Sequence, residues 1–361
     1  MPFSKQREKI DRIDRQLIAL FNRRAVLARK IGEIKQKEGL DVYDPSREDA
    51  ILAALERDNP GPFPANSLTA IFREIFAASR HLEEPLSIAY LGPQATFTHQ
   101  ACRRAFGASS RYVPKKSIRE VFDAVEREEC SKGVVPVENS TEGIINHTLD
   151  MFLESPLKIY GEVILLVSHH LLSLSGKMTK IRVLYSHAQA LSQCQEWLAE
   201  HLPDVPLREV SSTAEAARLA SKDPHGAAIA SRLAGELYGL RAARRKIEDR
   251  RDNVTRFLVI SREPKSPSGK GRDKTSIMFS IKDRVGALRD ILVVFSKAGV
   301  NLTRIESRPS RRKAWDYVFF IDFEGHVDDP GVEKVLQRIS GACTLLKVLG
   351  SYPIDRKGLQ P

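Results

Sequence analysis

The chain has 361 residues, enough for two or three domains, and a formal net charge of +11. It has no apolar run near the roughly 20 residues that a membrane-spanning helix needs, and its charged N-terminus lacks a signal-peptide core. The four cysteines show neither metal-site spacing nor a disulfide-rich pattern. We therefore expect a cytoplasmic protein with no membrane association, metal site or disulfide framework.

The positive charge raises the question of nucleic-acid binding. The densest basic run, residues 241–251, is accompanied by no aromatic stacking pattern and no known nucleic-acid motif. A solvated helix face is the favoured interpretation, and an excess of cations also suits dianionic substrates.

Residues 5–37 predict one long amphipathic helix, because apolar residues recur there at spacings of three and four. Arg24 and Lys35 fall on the apolar side of this helix, where a cation is costly unless something anionic pairs with it. The apolar positions are Ile10, Ile13, Leu17, Leu20, Leu27, Ile31 and Ile34.

Arg7 lies on the same helix, but about 25 Å from Arg24 along the axis at a rise of roughly 1.5 Å per residue. That is too far for both to grip one small ligand. Two copies packed antiparallel would bring Arg7 of one chain to Arg24 of the other. A coiled-coil seam with snorkelling side chains is the alternative, and this helix alone slightly favours it.

Two further helices follow. Asp44 is a candidate N-cap with Pro45 at the first helical position, and Arg47 and Glu48 then fall in the first turn, where both can simply be solvated. The next helix reaches residue 83 before Pro85. In it Ser79 and Glu83 continue an apolar stripe, so two helices place polar groups on buried faces, which suggests a shared pocket.

In order and spacing these residues resemble the all-helical chorismate mutase domain, and residues 7–353 as a whole resemble the chorismate mutase/prephenate dehydratase family. The residues that carry the first resemblance are Arg7, Arg24, Lys35, Asp44, Arg47, Glu48, Ser79 and Glu83.

The resemblance implies an intertwined helical dimer that rearranges chorismate to prephenate. Arg7 of the partner chain and Arg24 would hold the substrate carboxylates, and Lys35 and Glu83 would face the ether oxygen. Asp44 and Glu48 would hold the substrate hydroxyl. Arg47 and Ser79 would support the pocket.

After Pro85 the pattern alternates between strands and helices, which predicts an α/β region with parallel sheets and room for two lobes. We expect strands at residues 87–91, 133–137, 163–167, 182–185 and 227–230, a helix at 96–106, and another helix opened by 138–141.

Polar residues cluster after these strands, where open α/β sheets bind ligands and helix N-termini attract anions. Any one of the segments could be no more than a helix cap. Four together favour a binding cleft. They contain Thr96 and Thr98; Glu138, Asn139, Ser140 and Thr141; Ser186, His187 and Gln189; and Ser211, Ser212 and Thr213.

Four segments of this region resemble the prephenate dehydratase domain, whose fold is similar to type-II periplasmic binding proteins: residues 90–97, 135–140, 185–189 and 253–257. The family usually has glycine where this chain has Ala95. The resemblance implies a site lined by Asn139, Ser186, Gln193 and Thr255, with Glu138, Thr96 and Thr213 close by. Thr255 would donate a hydrogen bond to the departing hydroxyl of prephenate.

A Pro- and Gly-rich linker leads to a βαββαβ pattern typical of a ferredoxin-like fold. The predicted elements are 275–281, 287–298, 303–307, 315–324, 330–339 and 345–352. This tail resembles an ACT regulatory domain, which implies a phenylalanine site at Gly286, Ala287, Leu288, Asn301, Glu306, Ser307 and Arg308.

The whole chain thus predicts a bifunctional enzyme of phenylalanine biosynthesis that needs no cofactor, is inhibited by L-phenylalanine and forms a homodimer or higher homo-oligomer. The expected domains are 1–84, 85–262 and 275–361, with a linker at 263–274. A ligand-binding regulator with a helical dimeriser is the rival from another class, and arogenate is an alternative substrate to prephenate.

Overall fold

The computed structural model describes residues 2–38, 45–83, 86–107, 110–269, 271–309 and 317–356 of the chain. These residues form two compact units. One comprises Met1–Ser87 with Phe106–Arg111, and the other comprises Ile88–Ala105 with Tyr112–Pro361. None of the described helices is long and apolar enough to cross a membrane.

The first unit is built from three helices, as the apolar periodicity predicts: α1 (Pro2–Glu38), α2 (Pro45–Arg57) and α3 (Ala65–Glu83). Its buried apolar side chains include Ala28, Leu52, Phe76 and Ala77. The apolar row of α1 is exposed along its whole length, from Ile10 to Ile34. A row of this kind normally packs against another surface.

The second unit begins with a mixed sheet whose strand order is β2-β1-β3-β11-β5, with β4 paired to β3. Its elements are β1 (Ser87–Leu91), α4 (Phe97–Phe106), β2 (Arg111–Lys115), α5 (Ile118–Glu126), β3 (Lys132–Asn139), β4 (Gly143–Ile144), α6 (Asn146–Glu154), β5 (Lys158–Leu166) and β11 (Val254–Ser261).

A second sheet, of order β10-β6-β9-β7-β8, forms the other lobe. Its elements are β6 (His170–Ser173), a 3-10 turn (Met178–Lys180), β7 (Val183–Ser186), α7 (Ala188–Ser192), α8 (Gln195–His201), β8 (Leu207–Glu209), α9 (Thr213–Ala220), β9 (Gly226–Ala230), α10 (Arg232–Tyr238) and β10 (Arg241–Arg244). The chain crosses between the lobes after β5 and returns before β11, so two lobes are joined by two connections.

The expectation of parallel sheets is only partly right. Strands β1 and β3 are parallel, as are β7, β8 and β9, but β11 is antiparallel to both of its neighbours, and β6 is antiparallel to β9 and β10. The crossing strands cause the difference, because each enters its sheet from the other lobe rather than through a helix on the same sheet.

Two local predictions were wrong. Residues 138–141 do not open a helix: Glu138 and Asn139 end β3, and a tight turn leads to β4 before α6 begins. The Asn139 side-chain carbonyl accepts from the backbone N–H groups of Thr141 and Glu142, which stabilises this turn. The basic run at 241–251 contains a strand and a turn rather than a helix face.

The C-terminal part is the predicted βαββαβ unit, with a four-stranded sheet of order β13-β14-β12-β15. The elements are β12 (Asp273–Ile281), α11 (Ala287–Lys297), β13 (Leu302–Pro309), β14 (Tyr317–Glu324), α12 (Pro330–Ser340) and β15 (Cys343–Pro353). One face of this sheet packs on its two helices around Phe279, Phe295 and Phe323.

The other face of this sheet packs on the first lobe, and the two share one hydrophobic core. That core contains Met278, Phe320 and Leu349 from the C-terminal sheet together with Ile159 and Leu258 from the lobe. The C-terminal sheet is therefore docked on the back of the lobe that carries β3 and β11.

The loop after β1 keeps the backbone conformation that a glycine would take. Ala95 has φ +73°, and its N–H donates to Nδ1 of His99 over 3.1 Å. His99 in turn stacks on Tyr90 with ring centroids 5.0 Å apart. A left-handed alanine costs roughly 1–2 kcal/mol, so the fixed contacts of this loop outweigh that strain.

Candidate active sites

The helical unit brings polar groups of two helices together. Arg24 of α1 donates from Nη1 to Ser79 Oγ of α3 over 2.5 Å, and Ser79 donates to the Ile75 carbonyl over 2.8 Å. The Arg24 guanidinium also lies 5.4 Å from the centre of the Phe76 ring. This cation is half-buried against an aromatic face, and the remaining donors of its planar fork suit a carboxylate.

Glu48 lies on α2 and pairs with Arg80, which is buried in α3. Sequence reasoning missed Arg80, although a signal was present: it falls one helical turn after Phe76, on the same stripe as Ser79. The ion pair fixes Glu48 on the inner side of the helical unit.

Three of the other predicted residues of this unit are placed along α1 and α2. Arg7 is exposed, about 25 Å from Arg24 along one continuous helix, and Arg47 is exposed in the first turn of α2. Lys35 is half-buried near the end of α1. Asp44 lies outside the described residues, as does the side chain of Glu83, the last residue of α3.

In the larger unit, Asn139 and Thr255 face each other directly across the antiparallel pair β3–β11. Asn139 donates from Nδ2 to Thr255 Oγ1 and to Asn253 Oδ1, each over 2.8 Å. Its own carbonyl accepts from Thr141 and Glu142. Asn139 is therefore fully used by the protein. Because Thr255 Oγ1 accepts the hydrogen bond from Asn139, the Thr255 hydroxyl can donate its proton to a different acceptor.

The network continues into the second lobe through Asn253 and Gln193. Asn253 donates from Nδ2 to Gln193 Oε1 over 2.9 Å, and His169 Nε2 lies 2.8 Å from the same oxygen. Both connections between the lobes thus contribute a side chain, His169 after β5 and Asn253 before β11. The chain of contacts ties the lobes together beside Thr255.

The surroundings of His169 favour its neutral imidazole form. Burial lowers its pKa below the ordinary value, and the contacts with Gln193 and Glu248 offset only part of that effect. Since Gln193 Oε1 accepts, the proton sits on Nε2, and the buried Nδ1 has no hydrogen-bond partner among the described residues. Sequence reasoning missed His169 and Asn253, though both lie next to strand ends, as the recognised clusters do.

Four predicted residues lie apart from this network. Thr96 donates to the Pro93 carbonyl within its own loop, and Ser186 is buried and donates to the Ile229 carbonyl. Thr213 is the first residue of α9, behind the Ser212 cap. Glu138 lies on the opposite face of β3, where it contacts Arg304.

The C-terminal unit has Gly286 at the N-cap of α11 with φ +78°, followed by Ala287 and Leu288 in the first turn. Asn301, Glu306 and Ser307 lie before and within β13, and Asn301 and Ser307 are exposed. Arg308 is buried and pairs with Asp150 of α6 over 3.0 Å.

Within the described ranges, no group of three or more His, Cys, Asp or Glu side chains is placed to hold a metal ion.

Comparison with known proteins assigns all three parts of the chain. Family models match for Chorismate mutase type II at residues 6–84, Prephenate dehydratase at 88–265 and ACT domain at 275–341. The chain is 50% identical to the bifunctional chorismate mutase/prephenate dehydratase of Aquifex aeolicus over 96% of each chain. It is 45% identical to that of Pseudomonas aeruginosa, again over 96% of each.

Among solved structures, the chain is similar to the prephenate dehydratase from Arthrobacter aurescens in complex with L-Phe. The identity is 34% and the TM-score 0.69, over 76% of this chain and 92% of that one. The two curated relatives match along nearly their full lengths, and the three family models follow in the predicted order. The chain belongs to the family of bifunctional chorismate mutase/prephenate dehydratases, with an N-terminal mutase, a dehydratase and a C-terminal ACT domain.

Proposed function

We propose that this chain converts chorismate to prephenate and then prephenate to phenylpyruvate, and that L-phenylalanine inhibits it. The observation that carries the proposal is the Asn139–Thr255 pair, which holds a hydroxyl donor at the junction of two lobes. The helical unit with its Arg24–Ser79 contact supports the first activity. The boundaries 1–84, 85–262 and 275–361 and a cytoplasmic location stay predictions.

The first reaction is a unimolecular rearrangement of a flexible dianion, so the enzyme must compact the substrate and stabilise negative charge on its ether oxygen. Arg24, held by Ser79 and Phe76, would bind one carboxylate. Lys35 would face the ether oxygen, and Glu48, fixed by Arg80, would reach the hydroxyl. From the family resemblance we also assign Asp44 and Glu83 to this site, with Glu83 in its protonated form.

A second copy of the chain would complete this site. The exposed apolar row of α1 supports a homodimer, since about 55 Å of helix with one uncovered apolar face suits an antiparallel partner helix. In that arrangement Arg7 of the partner subunit would lie near Arg24.

Mixing two inactive variants tests the shared site. Combine Arg7→Ala with Arg24→Ala chains under subunit exchange and measure chorismate consumption. Half of the dimers would be mixed, each with one intact site of two, so about one quarter of the wild-type mutase activity should return. Each variant alone is the control. Demonstrated exchange without any recovery would contradict a shared site.

In the second reaction, prephenate loses its ring carboxylate as CO2 and its hydroxyl as hydroxide, which takes a proton from solvent to become water, and aromatisation drives both losses. Hydroxide is a poor leaving group, so a hydrogen-bond donor at that oxygen contributes most. Thr255 would supply it: Asn139 occupies a lone pair of the Thr255 oxygen, which directs its proton to the substrate. A threonine hydroxyl is a weak acid, so we assign positioned hydrogen bonding rather than complete proton transfer.

Asn139→Asp tests this orientation. A carboxylate can only accept, so the Thr255 hydroxyl would turn toward it and away from prephenate, and the aspartate would oppose Asn253 Oδ1. Dehydratase kcat should fall by about 10²-fold, the cost of one misplaced donor, while mutase activity is kept. Asn59→Asp, in a loop of the helical unit, controls for the charge. Unchanged dehydratase turnover would refute the role of Asn139.

For regulation, we propose that phenylalanine binds at Gly286, Ala287 and Leu288, together with Asn301, Glu306 and Ser307. The N-terminus of α11 presents backbone N–H groups that suit a carboxylate. Arg308 is engaged with Asp150, so its part would be to hold β13 against α6 rather than to contact the ligand.

Gly286→Ala is a sharp test, because the three atoms nearest to a Cβ there would all belong to the Arg289 guanidinium, at 3.7–3.9 Å, which is ordinary van der Waals contact. The chain itself has room, so a Cβ would intrude mainly on a ligand. We expect the phenylalanine concentration for half-inhibition to rise about tenfold, equivalent to roughly 1.4 kcal/mol. Gly299→Ala, also at positive φ with nothing within 4 Å, is the matched control for strain. Equal sensitivity of both variants would place the ligand elsewhere.

The overall function is tested by giving purified protein chorismate and following phenylpyruvate, with and without phenylalanine, with arogenate offered in parallel. The proposal expects prephenate, then phenylpyruvate, and inhibition. Phenylalanine binding without turnover would favour the regulator instead, and faster turnover of arogenate would change the assigned substrate.

A further inference from the structure

Strands β3 and β11 carry two neighbouring cross-strand residue pairs, of which Thr255 and Asn139 are the first. Arg256 pairs with Glu138, as Thr255 pairs with Asn139. Successive side chains of a strand point to opposite faces. Thr255 and Asn139 therefore face the lobe junction, while Arg256 and Glu138 face the ACT sheet.

The ACT sheet presents a matching pair of opposite charge. Arg304 of β13 and Asp322 of β14 are themselves cross-strand partners. Arg256 Nη1 contacts Asp322 Oδ2 at 2.7 Å, and Arg304 Nε lies 3.2 Å from Glu138 Oε2. We call these four residues the charge quartet. It joins the backs of both strands of the candidate catalytic pair to two strands of the ACT domain.

The Arg256–Asp322 half of the quartet is deeply buried and well satisfied. Arg256 also contacts Glu162 and Tyr352, and Asp322 accepts from Ser276. Burial alone would raise the pKa of Asp322, but Arg256 and Lys274 hold it below the ordinary value. Removing one member of such a pair leaves an uncompensated buried charge, so this half has a rigid geometry.

The Arg304–Glu138 half is looser. The Arg304 side chain is 12% exposed and Glu138 is 38% exposed. The contact of Arg304 Nε with Glu138 lacks hydrogen-bond geometry, and Arg304 Nη2 has no hydrogen-bond partner among the described residues. Buried donors without a partner are the exception in native structures. The Arg304–Glu138 contact is therefore the part of the quartet that hydrogen bonds fix least.

Arg304 also lies on the strand of the candidate phenylalanine site. It is two residues before Glu306, on the same face of β13, and Arg308 on that face contacts α6. A ligand that shifts β13 would shift Arg304 with it.

We propose that the charge quartet is the link through which an amino acid bound beside β13 changes dehydratase turnover, with Arg304 as the residue that moves and Glu138 and Arg256 as positioning residues behind Asn139 and Thr255. This inference rests on the phenylalanine regulation proposed above. In this proposal Arg304 takes two arrangements, which hold Asn139 and Thr255 differently. Inhibition then arises because phenylalanine favours one of these arrangements.

Arg304→Met tests the link in the full-length enzyme, since it removes the guanidinium and keeps an apolar stem. Calorimetry should show phenylalanine binding close to wild type. The ratio of dehydratase kcat without phenylalanine to kcat with saturating phenylalanine should be well above 1 in wild type and should fall toward 1 in the variant. Mutase activity should not respond. If Arg304 only supports the fold, the Arg304→Met variant should have lower thermal stability but the same ratio of uninhibited to inhibited dehydratase kcat as wild type.

Lys347→Met is the matched control. Lys347 also spans the domain interface, donating to the Phe152 and Ser155 carbonyls over 2.9 and 2.6 Å, but it touches neither β3 nor β11 through these bonds. The Lys347→Met variant should be less stable than wild type and should still be inhibited by phenylalanine. If phenylalanine inhibits Arg304→Met and wild type equally, the proposed role of the charge quartet is wrong, but the proposed phenylalanine regulation stands. A wild-type enzyme insensitive to phenylalanine would overturn the proposed regulation and the quartet together.

If Arg304→Met does not fold, hydrogen exchange on the wild type decides. Phenylalanine should change amide exchange in residues 134–139 and 254–258, on the strands behind which the quartet lies. Exchange changes confined to residues 286–309 would overturn the proposal.

Discussion

The hydrogen bond from Asn139 to Thr255 is the constraint on which the larger unit depends. It requires β3 and β11 to be antiparallel and in one register, with the irregularity between Arg256 and Phe257 that the pairing contains. A slip of one residue would put Thr255 on the ACT side and Arg256 in the lobe junction. The register is held from both sides, by Asn253 in front and by Asp322 behind.

In the proposed mechanism, this arrangement would let one strand serve both chemistry and regulation. Adjacent residues of β11 point to opposite faces, so the donor hydroxyl and the buried guanidinium are separated by one peptide unit. The hydrophobic core shared by the first lobe and the ACT sheet makes that short distance effective, because packed sheets transmit a shift rather than absorb it. The helical unit solves a different problem: in the proposed homodimer, a second copy of α1 would bring Arg7 of the partner subunit to Arg24.

Much of this organisation could be predicted from sequence. The periodicity from Ile10 to Ile34 indicates α1, and the βαββαβ order of the C-terminal part is readable from its apolar runs. What periodicity cannot give is strand direction across a lobe junction: neither β6 nor β11 was among the strands expected from the sequence, and both run antiparallel to their neighbours. The turn at Asn139 was mistaken for a helix start, because an Asx turn and an N-cap use the same residue types.

Side-chain direction was the other limit. Glu138 and Asn139 are adjacent in sequence and looked like one cluster, yet they face opposite sides of β3. Arg80 and His169 carried weak sequence signals, and their importance becomes clear from their contacts with Glu48 and Gln193. Family resemblance supplied Thr255 as a site residue, and the geometry supplies the reason that its proton is available.

The most direct test of the account is Thr255→Val, with both activities measured on the same preparation. Dehydratase kcat should fall by about 10²–10³, as for the loss of one transition-state donor, while prephenate still binds and mutase activity persists. Thr148→Val, which removes a buried hydroxyl bonded to the Pro136 carbonyl in the same lobe, should cost stability but keep turnover. Near-native dehydratase turnover in Thr255→Val would contradict the central claim that this hydroxyl, held by Asn139, assists departure of the substrate hydroxyl.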